Sequence, residues 1–137
     1  MRSKDGPPPS SLQELRPLVL IDTTQLALER SISGAAQRHE ALAANIANAS
    51  TPGYRRVDVD FHGTLAAAMG TGDKATVEHT AFTTQTDQSV GVTQADGNSI
   101  DVDNESAKLA ANALEQQAAV SVLKARTAII RSALGVA

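Results

Sequence analysis

The sequence predicts an all-α protein in which long N- and C-terminal helices pair as a coiled coil, joined by a polar, largely irregular middle. Near each end, apolar residues recur at alternating spacings of four and three, the pattern of a coiled-coil seam. The chain has only one tyrosine, two phenylalanines and no tryptophan. Since aromatic side chains contribute much of the burial in compact cores, an alanine-rich core favours helices packed side by side.

Residues 1–20 are predicted to be a flexible arm, because their proline, serine and glycine bury too little apolar surface to offset ordering entropy. The first helix of the helical coiled-coil domain is predicted over residues 21–50, with Asp22 or Thr23 as its cap. Its seam is formed by Ile21, Gln25, Leu28, Ile32, Ala35, His39, Leu42, Ile46 and Ala49. We interpret His39 as a partly buried polar residue with a hydrogen-bond partner, since no ligand-like neighbour accompanies it.

A turn is predicted where the segment 44–54, ANIANASTPGY, closes this repeat. Proline cannot continue a helix and pushes the preceding residue toward extended geometry, so the helix should stop by about Ser50. Pro52 and Gly53 suit the central positions of a type II turn, because glycine accepts a positive φ without steric cost. The chain therefore leaves the helix at a defined angle.

The middle region, residues 51–99, is predicted to contain this turn, a short extended segment, a short helix and an irregular stretch. Val57, Val59 and Phe61 alternate with charged residues and would share one strand face. The spacing of Phe61, Leu65 and Met69 predicts a short helix. Residues 72–98 are polar, with weak periodicity, and are expected to be irregular or extended and to order only against partners. Two neighbouring arginines at 55–56 can bind an anion, but the nearby aspartates favour a solvated or locally paired surface.

The second long helix of the helical domain is predicted within residues 100–135. Asn98, Ser99 or Asp101 would cap it, and Asp103 and Glu105 would favour the positive end of its dipole. Its seam is formed by Val102, Ser106, Leu109, Ala113, Gln116, Val120, Leu123, Thr127, Ile130 and Leu134. The residues predicted to form helix-packing interfaces are Leu28, Ile32, Ala35, Leu42, Ile46, Leu109, Ala113, Val120, Leu123, Ile130 and Leu134.

Composition and motifs argue against several function classes. Without cysteine there is no disulfide framework or thiolate nucleophile. Acidic and basic residues give net charges of 7 − 7 = 0 over residues 1–60, 1 − 7 = −6 over 61–105 and 4 − 1 = +3 over 106–137, which is not the basic face that nucleic acid requires. The aliphatic run 18–21 is far shorter than the roughly 20 residues of a membrane span, and no cleaved secretory signal is predicted.

No catalytic, cofactor or metal site is predicted, so an enzyme is not expected. Segment 96–105 superficially suggests a calcium loop, but its glycine is second rather than sixth and Ile100 occupies a ligand position. No histidine cluster, phosphate-binding glycine loop or nucleophile elbow is present.

A family resemblance rests on the segment 44–61, ANIANASTPGYRRVDVDF, which resembles the signature of bacterial flagellar axial proteins, the rod and hook family. Within that family, this turn and the segment 96–103, DGNSIDVD, before the last helix resemble the proximal rod subunits of the basal body. The family motif falls on Asn45, Ile46, Asn48, Thr51, Pro52, Gly53 and Tyr54. In this role, Asn45 and Asn48 would cap the helix end or bond to a neighbouring subunit.

The resemblance implies a structural subunit that the flagellar type III apparatus exports unfolded, without signal cleavage. It would assemble helically into the rod that crosses the periplasm and transmits motor torque. The implied partners are copies of itself, other proximal rod proteins and the adaptor between rod and membrane ring. A non-flagellar coiled-coil adaptor or secretion chaperone would explain the repeats but not the Pro-Gly-Tyr block, and a cofactor-free enzyme would need a pocket that few bulky residues could line.

Overall fold

Two long helices dominate the fold, α1 (Thr23–Ala47) and α4 (Val102–Ala133), and they pack against each other. The computed structural model describes residues 22–86 and 100–135. Between the helices come β1 (Val57–Asp58), α2 (Phe61–Gly70), α3 (Lys74–Glu78) and β2 (Gln85–Thr86). This confirms the predicted all-α class with a short extended segment and a short helix. The predicted arm lies outside the described residues, as do residues 87–99.

The two long helices run antiparallel, as contacts at three levels show. Near the end of α1, Asn45 Nδ2 donates to Glu105 Oε2 over 2.7 Å. Midway, Asn112 Nδ2 donates to the carbonyl of Ala35 over 2.8 Å. At the start of α1, Asp22 pairs with Arg126. Sequence number therefore rises along one helix as it falls along the other.

Both long helices begin at aspartates that the sequence offers as caps. Asp22 Oδ1 accepts from the backbone N–H of Gln25 over 2.9 Å. Asp101 Oδ1 accepts from the N–H groups of Asp103 and Asn104, each over 3.1 Å. These bonds satisfy amides that the first helical turn leaves without intrahelical partners. At the other end of α4, Gly135 has a φ of 67°, which ends the helix.

The middle of the chain folds back onto α1. Strands β1 and β2 pair antiparallel, with Val57 opposite Thr86, and both α2 and α3 pack against α1. The buried cluster so formed consists of Leu26, Ala35, Ala41, Val59, Phe61, Leu65, Ala68, Val77 and Phe82. Most of these residues belong to the middle segment, so this segment builds a core on one side of α1.

Helix α3 corrects the expectation that residues 72–98 are wholly irregular or extended. Asp73 caps it by accepting from the N–H groups of Ala75 and Thr76, and Val77 is completely buried. One capping carboxylate and one buried valine are too little pattern to predict a five-residue helix. His39 also departs from prediction, because it is exposed rather than partly buried.

Gly34 lets Phe61 lie directly on α1. A Cβ atom added at Gly34 would come within 2.6 Å of the Phe61 Cβ atom, closer than packed carbon atoms approach. Phe61 is 1% exposed, and its ring meets the Phe82 ring edge-on at a centroid distance of 6.2 Å. Close packing of Phe61 therefore explains why a glycine lies in the middle of α1.

We predict that Gly34→Ala destabilises the chain by roughly 1 kcal/mol. Overpacking against Phe61 costs about 1–3 kcal/mol, and the better helix propensity of alanine returns up to about 1 kcal/mol. Urea unfolding followed by circular dichroism measures the change, with Gly70→Ala as the control because nothing lies near its added Cβ atom. A variant at least as stable as the wild type would contradict this close packing.

Within residues 22–86 and 100–135, no helix combines the length and apolar character needed to cross a membrane.

Candidate functional site

The predicted turn ends α1 and redirects the chain toward β1. The helix stops at Ala47, with Asn48 as its C-cap. The N–H of Tyr54 donates to the carbonyl of Thr51 over 3.2 Å, and Gly53 has a φ of 72°. These are features of the predicted type II turn. Thr51, Pro52 and Gly53 are all exposed.

The two motif asparagines have different tasks. Asn48 caps the helix, since its Nδ2 donates to the Ala44 carbonyl over 2.8 Å. Asn45 is completely buried and bonds to both backbone groups of Val57. Its Nδ2 donates to the Val57 carbonyl over 2.7 Å, and its Oδ1 accepts the Val57 N–H over 2.9 Å. The Asn45 side chain thus pairs with β1 much as a neighbouring strand would.

Glu105 connects this arrangement to α4. It is 2% exposed and accepts from Asn45, from Arg56 Nε over 2.7 Å and from Lys108 Nζ over 3.1 Å. Its position in the first turn of α4 also places its charge near the positive end of the helix dipole. One carboxylate therefore joins α1, the β1 segment and α4.

A second carboxylate extends the cluster along the same segment. Asp58 accepts from Arg38 Nε and from Arg56 Nη2, each over 2.9 Å. The prediction for the arginine pair is a solvated or locally paired surface, and Arg56 pairs with the nearby Asp58 while Arg55 is exposed. Together, Arg38, Asn45, Arg56, Asp58, Glu105 and Lys108 form what we call the polar cluster.

The pKa values in the polar cluster are shifted in the directions that keep its ion pairs charged. Burial alone would raise the pKa of Glu105, but hydrogen bonds from Arg56, Asn45 and Lys108 hold that pKa below its ordinary value. Burial likewise opposes ionisation of Asp58, and bonds from Arg38, Val59 and Arg56 lower its pKa. The pKa of Arg56 is raised, because its bonds to the two carboxylates outweigh its own desolvation. All three groups are charged at neutral pH.

We predict that the chain loses stability in acid partly through these two carboxylates. Because each folded-state pKa is lowered, the stabilisation is fully present above the ordinary carboxyl pKa of about 4 and is lost as pH falls through the lower folded-state pKa. Urea unfolding at pH 6 and pH 3 should show a smaller drop for Glu105→Gln than for the wild type. Hydrogen bonds at their helix starts also lower the pKa values of Asp22 and Asp73. Both residues are present in the wild type and in Glu105→Gln, so they do not account for a difference between the two. Equal drops would contradict this role.

The chemistry of the cluster is structural. Its two carboxylates are held by arginines and lack the raised pKa that suits a general acid. Within the described ranges, no group of three or more histidine, aspartate or glutamate side chains could hold a metal ion. What the cluster does is fix the chain leaving the turn against both long helices.

The predicted helix-packing residues differ in burial within the single chain. Ala35 and Leu42 are buried, whereas Ala113 and Leu134 are exposed. The half-buried members are Leu28, Ile32, Ile46, Leu109, Val120, Leu123 and Ile130. Of the motif residues, Tyr54 is half-buried, with its hydroxyl 3.5 Å from Asn45 Oδ1.

Sequence reasoning missed the structural roles of Glu105, Arg56 and Asn112. Asn112 is 2% exposed and faces α1. It is not one of the residues predicted to form the seam of this helix. The helix dipole already explains why an acidic residue lies in the first turn of a helix. The sequence around position 105 therefore gives no sign that Glu105 is buried. Pairing across 49 positions of sequence, as between Arg56 and Glu105, has no local signature.

Comparison with known proteins gives a family match in the part of the chain that contains the motif. Residues 31–55, which include the asparagines and the turn, match the family model described as flagella basal body rod protein. The flagellar basal body rod protein FlgB of Escherichia coli (strain K12) is 36% identical, over 76% of this chain and 89% of the relative. FlgB of Aeromonas hydrophila is 33% identical, over 76% and 86%, and FlgB of Cereibacter sphaeroides (strain ATCC 17023) is 33% identical, over 71% and 82%.

These matches define the class as flagellar rod proteins, and the relatives match 71–76% of the chain, well beyond the motif. The chain belongs to the FlgB family of flagellar basal body rod proteins. Its function is that of a structural subunit of the flagellar basal-body rod.

Proposed function

We propose that this rod subunit lies in the proximal rod and assembles through its terminal helices with copies of itself and with other proximal rod proteins. In that position it transmits torque from the motor without catalysing a reaction. The observation that carries this proposal is a second apolar stripe on α4, distinct from the face that packs against α1.

The stripe recurs at spacings of four and three along most of α4. Its members are Ala107, Ala111, Leu114, Ala118, Val122, Ala125, Ile129 and Ala133. At about 100° per residue, these positions cover a sector of roughly 100° of the helix surface. All eight are exposed, and Leu114 and Ile129 are each 69% exposed. We call this surface the outer stripe.

A helix face exposed to water is ordinarily polar, so the outer stripe indicates a surface that a partner covers. Its alanines allow another helix to approach closely, because interaxial distance depends on the side chains at the contact. The larger side chains of Leu114, Val122 and Ile129 supply apolar area for burial. Rod subunits are surrounded by neighbours, which provides the partner.

The remaining features follow from the resemblance described for the turn segment. We propose that the flagellar type III apparatus exports the chain unfolded, without cleavage of a signal, to a rod in the periplasm. The adaptor between rod and membrane ring is a further proposed partner. The polar cluster supports a non-catalytic role, because its two carboxylates accept hydrogen bonds from arginines.

We predict that Leu114→Glu with Ile129→Glu abolishes swimming in a strain whose own gene is deleted. Two carboxylates on the outer stripe would have to be buried without partners, a cost of several kcal/mol for each contact. Both positions are exposed in the single chain, so its own fold should be unaffected. Swim-zone size and electron microscopy of basal bodies measure the effect.

Leu114→Met with Ile129→Val is the matched control, since it keeps both positions apolar and should support swimming. Circular dichroism of the purified variants checks that both remain helical. Normal basal bodies with the glutamate variant would contradict assembly through the outer stripe.

A further inference from the structure

The outward face of α1 is acidic. Glu29 and Glu40 are both exposed and lie about three turns apart on the same side of the helix. The residues on this side between and beyond them are small: Ser33, Ala36, Ala43 and Ala47. Arg30, about a quarter turn from Glu29, is half-buried rather than exposed. We call this surface the acidic face.

The second half of α4 carries a basic surface that is separate from the outer stripe. Lys124 and Arg131 are exposed and lie about two turns apart on one side of the helix. Ala113, Gln117 and Ala128 share this side and are also exposed. The third cation of this region, Arg126, is already paired with Asp22. We call this surface the basic face.

In the part of the chain that the structure describes, these four charges lie outside the ion pairs. Within residues 22–86 and 100–135, no salt bridge involves Glu29, Glu40, Lys124 or Arg131. Among the described residues, Glu29 accepts a side-chain hydrogen bond from the neutral Gln25. The helix hairpin thus presents unpaired charges of opposite sign on two different helices.

We propose that the acidic face of one copy docks against the basic face of a second copy. The inference rests on the proposed self-assembly and adds which surfaces meet. Contact of like faces would place glutamates against glutamates, or cations against cations, and like charges across an interface are unfavourable. The small residues on both faces let the two helices approach closely enough for the glutamate carboxylates to pair with the lysine and arginine side chains.

This contact is directional. Since the two faces differ, the contact is heterologous, and each copy keeps one acidic and one basic face for further neighbours. Such a contact builds a ring or a helix rather than a closed dimer. Exposed ion pairs are individually weak, so these charges select the partner surface and its orientation, while apolar burial at the outer stripe contributes most of the affinity.

A charge-swap experiment in the gene-deleted strain tests the inference. One variant carries Glu29→Lys with Glu40→Lys, another carries Lys124→Glu with Arg131→Glu, and a third carries all four changes. Each two-residue variant should lose swimming and intact basal bodies, and the four-residue variant should regain both, because the opposite charges face each other again. If the four-residue variant is no better than either parent, the faces do not meet each other and the inference is overturned.

Cysteine crosslinking tests the same contact directly, because the chain contains no cysteine. The variant with Ala36→Cys and Ala128→Cys should form disulfide-linked multimers in oxidised basal bodies, whereas either single variant should not, because these positions lie near the centres of the two faces. Dimers formed by Ala128→Cys alone would indicate that like faces meet and would overturn the inference. If instead the wild-type chain itself fails to restore basal bodies, the proposed assembly function has failed, which these outcomes keep separate.

Discussion

Replacing Glu105 with alanine is expected to destabilise the chain by about 3 kcal/mol, near the lower end of the cost of breaking a buried ion pair. The change leaves Arg56, which is 12% exposed, without its α4 partner, and it removes an acceptor from Asn45 Nδ2. The loss is at the lower end because Arg56 still pairs with Asp58. Urea unfolding of the purified chain measures the change.

Glu115→Ala is the matched control for this prediction, since it removes a carboxylate from the same helix at an exposed ion pair with His62. Exposed pairs contribute at most about 1 kcal/mol, so the control should be nearly neutral. Equal effects of the two substitutions would show that the polar cluster does not join the helices as described.

Phe61→Ala is expected to destabilise the chain by about 3–5 kcal/mol, the usual cost of removing a buried aromatic ring. Phe61 is 1% exposed, contacts α1 at Gly34 and meets Phe82 edge-on. Its loss opens a cavity where the middle segment packs on α1. Thermal or urea unfolding should show both a lower midpoint and a less cooperative transition of the middle segment.

The same cavity lowers the cost of a second substitution. In the Phe61→Ala background, Gly34→Ala should destabilise less than in the wild type, because the ring atoms that the added Cβ atom meets at 2.7 and 2.8 Å are gone, whereas the Cβ atom at position 61 remains. In the wild type it destabilises, because the added Cβ atom meets Phe61. A double-mutant cycle measures this coupling. Equal effects of Gly34→Ala in both backgrounds would contradict direct packing of the Phe61 ring on Gly34.

The sequence predicts the two long helices, their capping aspartates and the turn between Thr51 and Tyr54 because each depends on neighbouring residues. Proline geometry, glycine at positive φ and side-chain caps act over a few positions. The short helix after Phe61 is predictable for the same reason. Local physics is enough for these elements.

Which face of α4 meets α1 cannot be predicted in the same way. An alanine-rich helix has several sides that are apolar enough to pack, and periodicity does not rank them. The structure turns Glu105 and Asn112 toward α1 and leaves Leu114 and Ile129 exposed. Polar residues are accepted in the contact because Asn45 and the Ala35 carbonyl bond to them, and those partners lie 60 or more positions away along the chain.

The polar cluster escapes prediction for a related reason. Asn45 belongs to a motif that indicates a helix end, yet its side chain bonds to β1 and to α4 instead. Asn48, three residues later, does cap the helix. Two asparagines about one turn apart look equivalent in the sequence, and only the fold distinguishes them.

Electron microscopy of basal bodies from a strain deleted for this gene tests the central claim, that the chain is a structural subunit of the rod, most directly. The deletion should yield membrane rings without a complete rod and cells that do not swim, and the intact gene supplied in trans should restore both. Complete rods and normal swimming in the deletion strain would contradict the account.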